Sequence, residues 1–315
     1  MLNRMDKNKT HYSTKYADDV IPAFLAPDYL IQEEKKLNNN SQTIIDIIDE
    51  KTIAPQALAD ENTHSLVVRE SLHKALDQQR MDLFMQPIVN LPQRHTKFYE
   101  LYGRLRLKPG QYLPAKDYLQ VANEEHIVNE LDTLFLTNCL NVIKKQTRLR
   151  EEGFSYFINI KPYTFRSQDF MNKLLRLISE FKEVAYMLIF EMSYHDLLLL
   201  SPGERRIMDG LSRIGCRFSV DHLEDIPQDI KYMRRNNVRF AKINAESLIN
   251  MGRTDRGYSE LLTKKQNLEV NGIDLIVEKI EDDKALLEIL DFDIKYAQGH
   301  LLGRPDFQGV YIRSA

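Results

Sequence analysis

From residue 82 onward, short apolar stretches of strand length recur between longer runs with helical spacing. The strand-like stretches are LFMQPIVNL (83–91), FYELYGRLRL (98–107), YFINIK (156–161), YMLIFEMS (186–193), RFSVDH (217–222), RFAKIN (239–244), DLIVEKIE (274–281) and YAQGHLLG (296–303). Amphipathic helical runs separate most of them, among them NELDTLFLTNCLNVIKKQ (129–146), ERRIMDGLSRIG (204–215) and DDKALLEILDF (282–292). Eight strands with intervening helices over this length predict a β/α barrel, with a doubly wound open sheet as the competitor. The first two strands are joined by a short hairpin-like link, which is unusual for either fold.

The pattern is different before residue 82. Residues 1–40 are polar and run into KKLNNNSQ, so a flexible tail is expected there. Residues 41–80 read as a helical connector that overlaps the start of a barrel domain spanning 71–312. TIIDIIDE makes a turn or two, and NTHSLVVRESLHKALDQQR is a better helix, with Leu66, Leu72, Ala75 and Leu76 at helical spacing. This helix is placed to pass orientation to the barrel, or simply to lie against it.

Composition narrows the functional classes. A formal charge of −3 leaves no basic excess with which to bind DNA or RNA electrostatically. Two cysteines, Cys139 and Cys216, are too few for a disulfide framework. Neither a signal-peptide core nor an apolar run of membrane-spanning length is visible, so the expected compartment is the cytoplasm.

The candidate chemistry lies at the strand ends. Glu100, Asn159, Glu191, Asp221, Lys242, Glu278 with Glu281, and Gln298 stand at or near the ends of successive strands. Any one of them alone would be read as a helix cap or a solvated rim group. In a β/α barrel those ends open on a single mouth, where carboxylates and an amide supply the oxygen donors that magnesium and manganese prefer. Phosphate-ester chemistry is the usual partner of such a site. His195 and Asp196, after EMSY, are expected to be a solvated loop pair. The basic runs KKQTRLR and KYMRRNN are expected to be solvated helix faces, and Tyr296, Phe307 and Tyr311 core or closing contacts.

The order and spacing of these residues resemble the EAL domain, which in bacteria hydrolyses cyclic di-GMP on a modified (β/α)8 TIM-like barrel. FMQPIVNL is similar to the family's opening strand, and YELYGRLRL stands where the Glu-Ala-Leu motif and its arginine belong. FINIKPYTF, FEMS, SVDH, AKIN, VEKIE and AQGHLLGRP follow in family order. The resemblance implies metal ligation by Glu100, Asn159, Glu191 and Asp221. It also implies nucleophile positioning by Lys242 and a base or ligand role for Glu278. Glu281 and Gln298 would line the site, Arg104 would meet a ligand phosphate, and Gln86 would lie close to the ligand.

The chain departs from the family where a second metal would bind. The family reads Asp-Asp-Phe-Gly-Thr-Gly; here the run is Asp221, His222, Leu223, Glu224, Asp225, Ile226, Pro227. Tyr194 replaces a glutamate that anchors this loop, Leu101 replaces the motif alanine, and Asn244 replaces an aspartate. Losing one carboxylate ~4 Å from a divalent ion costs it about twice 4 kcal/mol at an effective dielectric near 20, before desolvation. The resemblance therefore implies a degenerate member that binds cyclic di-GMP with little or no hydrolysis, with magnesium or manganese at most at a single weakened site. Two alternatives stand beside it: an active phosphodiesterase that uses His222 as a metal ligand, and an interaction scaffold that no longer binds nucleotide. A protein partner reached through the N-terminal helix or the barrel, and a homodimer, are compatible with each.

Overall fold

A computed structural model of the chain describes residues 61–307, apart from 150–153, 181 and 183. The expected tail over 1–40, the first part of the connector and Tyr311 lie outside the described residues. Eight strands close into a barrel: β1 (Met81–Asn90), β2 (Thr96–Lys108), β4 (Ser155–Asn159), β5 (Leu188–Ser193), β6 (Arg217–Leu223), β7 (Val238–Asn244), β8 (Asp274–Glu278) and β9 (Tyr296–Ala297). Around the barrel they run β1-β9-β8-β7-β6-β5-β4-β2, and the β1–β2 pairing closes it. Two short strands extend the rim. β3 (Gln111–Tyr112) folds back on β2, and β10 (Asp306–Phe307) pairs with β1.

The tight link between the first two strands dictates their direction. Asn90 N–H donates to the His95 carbonyl and Arg94 N–H to the Asn90 carbonyl, closing a hairpin. A hairpin that short can join only antiparallel strands. β1 accordingly runs antiparallel to both its neighbours, β2 and β9, and the other neighbouring pairs around the barrel are parallel. An open doubly wound sheet is excluded by the closure.

Helices pack outside the sheet on the face opposite the barrel interior. The predicted helical runs lie within or close to Val128–Leu149, Pro202–Arg213 and Asp283–Leu290. Pro202–Arg213 starts with a reciprocal cap, in which the Ser201 side chain accepts from Glu204 N–H and the Glu204 carboxylate accepts from Ser201 N–H. The helix Glu61–Asp77 leads directly into β1, but its buried stripe is Val68, Leu72 and Ala75. Leu66, expected on that stripe, is 56% exposed, because the contact face begins two residues later.

Candidate functional site

Successive side chains of a strand point to opposite faces, so every inward residue has its next inward neighbour two positions along. Here that rule stacks two layers inside the barrel. The floor is apolar: Ile88, Phe98, Phe157, Ile189, Phe240 and Ile276, with Tyr296 packed against them. Phe98 meets the rings of Phe157, Phe240 and Tyr296 edge-on at centroid distances of 5.2–5.6 Å. Two residues further towards the mouth come Gln86, Glu100, Asn159, Glu191, Lys242, Glu278 and Gln298, joined by Asp221, which on β6 stands two beyond the buried Ser219. The sheet register sets Gln86 beside Glu100 and Asn159 beside Glu191. Seven of the eight are buried, Lys242 and Glu191 completely, and only Glu278 keeps modest exposure.

Lys242 is the hub of this layer. Its ammonium donates to Glu100 Oε2 at 2.6 Å and Glu191 Oε1 at 2.8 Å, and lies 3.3 Å from Glu278 Oε1. It also stands 4.9 Å above the Phe157 ring of the floor. Burial alone would strip the lysine of its proton, but the charges of Glu100, Glu191 and Glu278 outweigh it and hold its pKa well above the usual range. Three acids around one buried ammonium cannot all stay ionised. Burial lifts Glu191 to about 8, with Lys242 offsetting only part of the rise. Burial and the charge of Asp221 push Glu278 well above the carboxylate range.

Asp221 is held apart by its own neighbour. His222 N–H donates to Asp221 Oδ1 at 2.5 Å, and His222 Nδ1 lies 2.7 Å from Oδ2. The backbone makes this clamp possible. Between Val220 and Leu223, β6 carries one residue more than β7 pairs with, a bulge that turns His222 to φ 59° and leaves its ring 59% exposed. Burial would raise the Asp221 pKa, but the hydrogen bond from His222 and the charge of Lys242 prevail and hold it far below the carboxylate range. Beyond the bulge, the loop without glycines seats Ile226 and Ile230 in the core and ties itself to the helix Asp255–Val270 through Asp225–Lys264 at 2.7 Å. Burial raises the Tyr194 phenol above its ordinary range, and the charge of Asp229 in this loop adds to the rise.

The opposite side of the mouth is built from amides. Gln298 Nε2 reaches Glu100 Oε2 at 2.8 Å, Gln86 Oε1 at 2.9 Å and the Tyr102 hydroxyl at 3.2 Å. Tyr102 Oη in turn donates to Gln86 Oε1 at 3.2 Å, and Gln86 Nε2 donates to the Gly303 carbonyl at 3.1 Å. Tyr102 was not among the candidate residues. Its inward position follows from sharing the parity of Glu100 along β2, the one signal that would have found it. Arg104, two residues on, lays its guanidinium 4.7 Å over the Phe84 ring, and Phe84 packs against Tyr112 and Phe307.

Glu281 stands outside this network. It is 56% exposed and pairs with His300 Nδ1 at 3.1 Å, because the strand ends at Glu278 and Lys279 turns the chain at φ 58°. Asp196 is a correction. It is half-buried in a short helix, Tyr194–Leu198, where it accepts from Ser193 Oγ at 2.8 Å and pairs with Lys161 Nζ at 2.9 Å. Serine as the helix cap drew the aspartate inward from the solvated loop expected of it.

The donor set is of the kind a hard divalent cation takes. Glu100, Asn159, Glu191 and Asp221 present oxygen atoms, and Glu191 Oε2 is buried without a hydrogen-bond partner. Among the described residues, however, no three His, Cys, Asp or Glu side chains are gathered as ligands about one point. Their oxygens turn to Lys242, to Asn159, whose Nδ2 donates to Glu100 Oε1 at 3.1 Å, and to His222.

The comparisons with known proteins agree with this geometry. Residues 69–305 match the EAL domain family. The cyclic di-GMP phosphodiesterase PdeF of Escherichia coli (strain K12) is 20% identical over 74% of this chain and 31% of its own length, so the chain spans about a third of that relative. Among solved structures, the Xanthomonas citri FimX EAL domain in complex with c-diGMP superposes with TM-score 0.65 at 14% identity, covering 78% of this chain and 96% of that one. The PaMucR phosphodiesterase in its c-di-GMP complex gives TM-score 0.64 at 17% identity, over 76% and 97% respectively. At such identities the superpositions establish a shared fold, and the match across three quarters of the sequence establishes the family. The chain belongs to the EAL domain family.

Proposed function

We propose that this chain binds cyclic di-GMP as a signalling domain and turns it over little or not at all. One observation carries the reading. The acids that would ligate metal are already engaged, Glu100 and Glu191 by the Lys242 ammonium and both oxygens of Asp221 by His222. A magnesium or manganese ion held by Glu100, Asn159, Glu191 and Asp221 would, when bound, activate a water and offset phosphodiester charge. To be held, it must compete with a lysine at contact distance and with an imidazole clamp. The protein's own groups do the rest. Arg104, steadied on Phe84, offers a planar guanidinium to a phosphate. Gln86 and Gln298 offer amides at the same side of the mouth, and Lys242 keeps a fixed positive charge at the centre of the layer.

Titration of the purified protein with cyclic di-GMP in a calorimeter tests this, with the same samples assayed for the linear dinucleotide. Saturable binding without product is expected, and no heat at high micromolar nucleotide would sink the reading. A second reading has an observation of its own. Gln86 and Gln298 are buried and bonded to each other, which is what a scaffold that no longer takes nucleotide would show. Failure to bind in that titration would favour it.

A further inference from the structure

The third letter of the family's Glu-Ala-Leu motif is a leucine, and in this chain that position is Tyr102. The exchange puts a hydroxyl where the family carries a hydrocarbon. That hydroxyl donates to Gln86 Oε1 and receives Gln298 Nε2, each at 3.2 Å. The two glutamines are 212 positions apart in sequence and come from β1 and the segment just past β9, so Tyr102, reaching over from β2, ties three neighbouring strands at the mouth. Gln298 Oε1, by contrast, is buried with no hydrogen-bond partner. The amide thus spends its donors on this chain's own acceptors and leaves its acceptor unmatched, a costly arrangement for a buried group.

We infer that Tyr102 is a built-in plug of the ligand face: its hydroxyl engages the Gln86 acceptor and the Gln298 donor from within, beside the bond that joins the two amides, and a cyclic dinucleotide reaches those groups only by displacing it. The inference rests on the proposed nucleotide binding for the identity of the occupant, but not for the plug itself. Tyr102 acts here as a positioning residue. It holds the amides on this chain's own partners and sets the threshold for entry, while Arg104, two residues along the same strand, lies over the Phe84 ring.

Two measurements on the full chain test it. The first uses tyrosine labelled with ¹³C at Cζ, where a hydroxyl that exchanges slowly with solvent gives two resolved signals in mixed H₂O and D₂O. Tyr102 should show the split pair in the ligand-free protein; a single averaged signal overturns the plug. The second is calorimetry with cyclic di-GMP on the wild type, Tyr102→Phe and Tyr102→Leu. Losing one or two neutral hydrogen bonds from the closed state should tighten binding about threefold to tenfold in Tyr102→Phe, which keeps the ring and the packing. Tyr102→Leu should bind at least as tightly. Unchanged or weaker binding by both variants, when the wild type binds, refutes the plug. If Tyr102 shows the split pair and none of the three proteins binds, the plug stands and the cyclic dinucleotide reading is what fails.

Discussion

Replacing Lys242 with methionine removes the charge at the hub while keeping most of the side-chain volume. The side chain is fully buried and contacts three acids, two of them at 2.6 and 2.8 Å. Taking away one partner of a buried ion pair costs about 3–5 kcal/mol, since the remaining charge is left without compensation. Against a total stability of about 5–15 kcal/mol, that is a large fraction. For a domain of this size it corresponds to a drop of about 6–20 °C in Tm. The loss should depend on pH in a defined direction. Glu191 and Glu278 are already raised by burial, and without the ammonium they hold protons still more tightly in the folded state than in the unfolded one. Folded protein then binds more protons than unfolded, so stability falls as pH rises, and the variant suffers more at pH 8 than at pH 6. Urea unfolding of both proteins at the two pH values reads the difference. Millimolar magnesium should restore part of it by binding the folded variant. A variant within about 1 kcal/mol of wild type at both pH values would refute the hub, because an ammonium offsetting buried carboxylates cannot be lost that cheaply.

The remaining predictions concern the same layer. Glu191 has a folded pKa of about 8 against an ordinary 4.5, so its contribution is fully present below the ordinary value and is lost as pH climbs through 8. Unfolding midpoints measured from pH 5 to 9 should therefore fall for wild type and fall less steeply for Glu191→Gln; parallel curves would mean Glu191 is ionised throughout. His222→Asp, a residue type that tolerates positive φ, frees Asp221 from the imidazole and restores a paired-carboxylate end to β6. Calorimetry should then detect manganese binding at least tenfold tighter than in wild type, and an unchanged affinity would show that the clamp is not what weakens the site. Arg104→Ala should weaken cyclic di-GMP binding about tenfold or more through loss of a charge-assisted contact; equal affinity would remove Arg104 from the ligand face.

Most of the barrel was legible because buried strands write their pattern plainly. Apolar stretches of strand length with a polar residue two places from an inward apolar one are enough to stack Glu100 over Phe98, Asn159 over Phe157 and Lys242 over Phe240; β6 alone sets its Asp221 over a serine, Ser219. The short link between the first two strands stood out as unusual, and its physical reason is the reversed first strand. What stayed hidden depends on where a strand stops or swells. Glu281 shared a run with Glu278, but the chain turns at Lys279 and carries it out to His300. The bulge at His222 turns an apparent Asp–His pair into a clamp, since the extra residue rotates the ring back onto its own neighbour. Tyr102 was passed over because tyrosine is an ordinary strand residue; parity with Glu100 turns it inward, and the folded chain brings its hydroxyl to Gln86 and Gln298. Leu66 erred for a simpler reason: helical spacing identifies a stripe but not the point along the helix where contact begins.

The central claim is that this EAL domain holds cyclic di-GMP without cleaving it. The purified protein, incubated with cyclic di-GMP and magnesium and then with manganese, with binding and linear dinucleotide measured in the same samples, addresses it most directly. The account predicts saturable binding in both series and no product above the no-protein control. Product that accumulates with time and disappears in Glu100→Ala or Asp221→Ala would contradict it and make the chain a working phosphodiesterase.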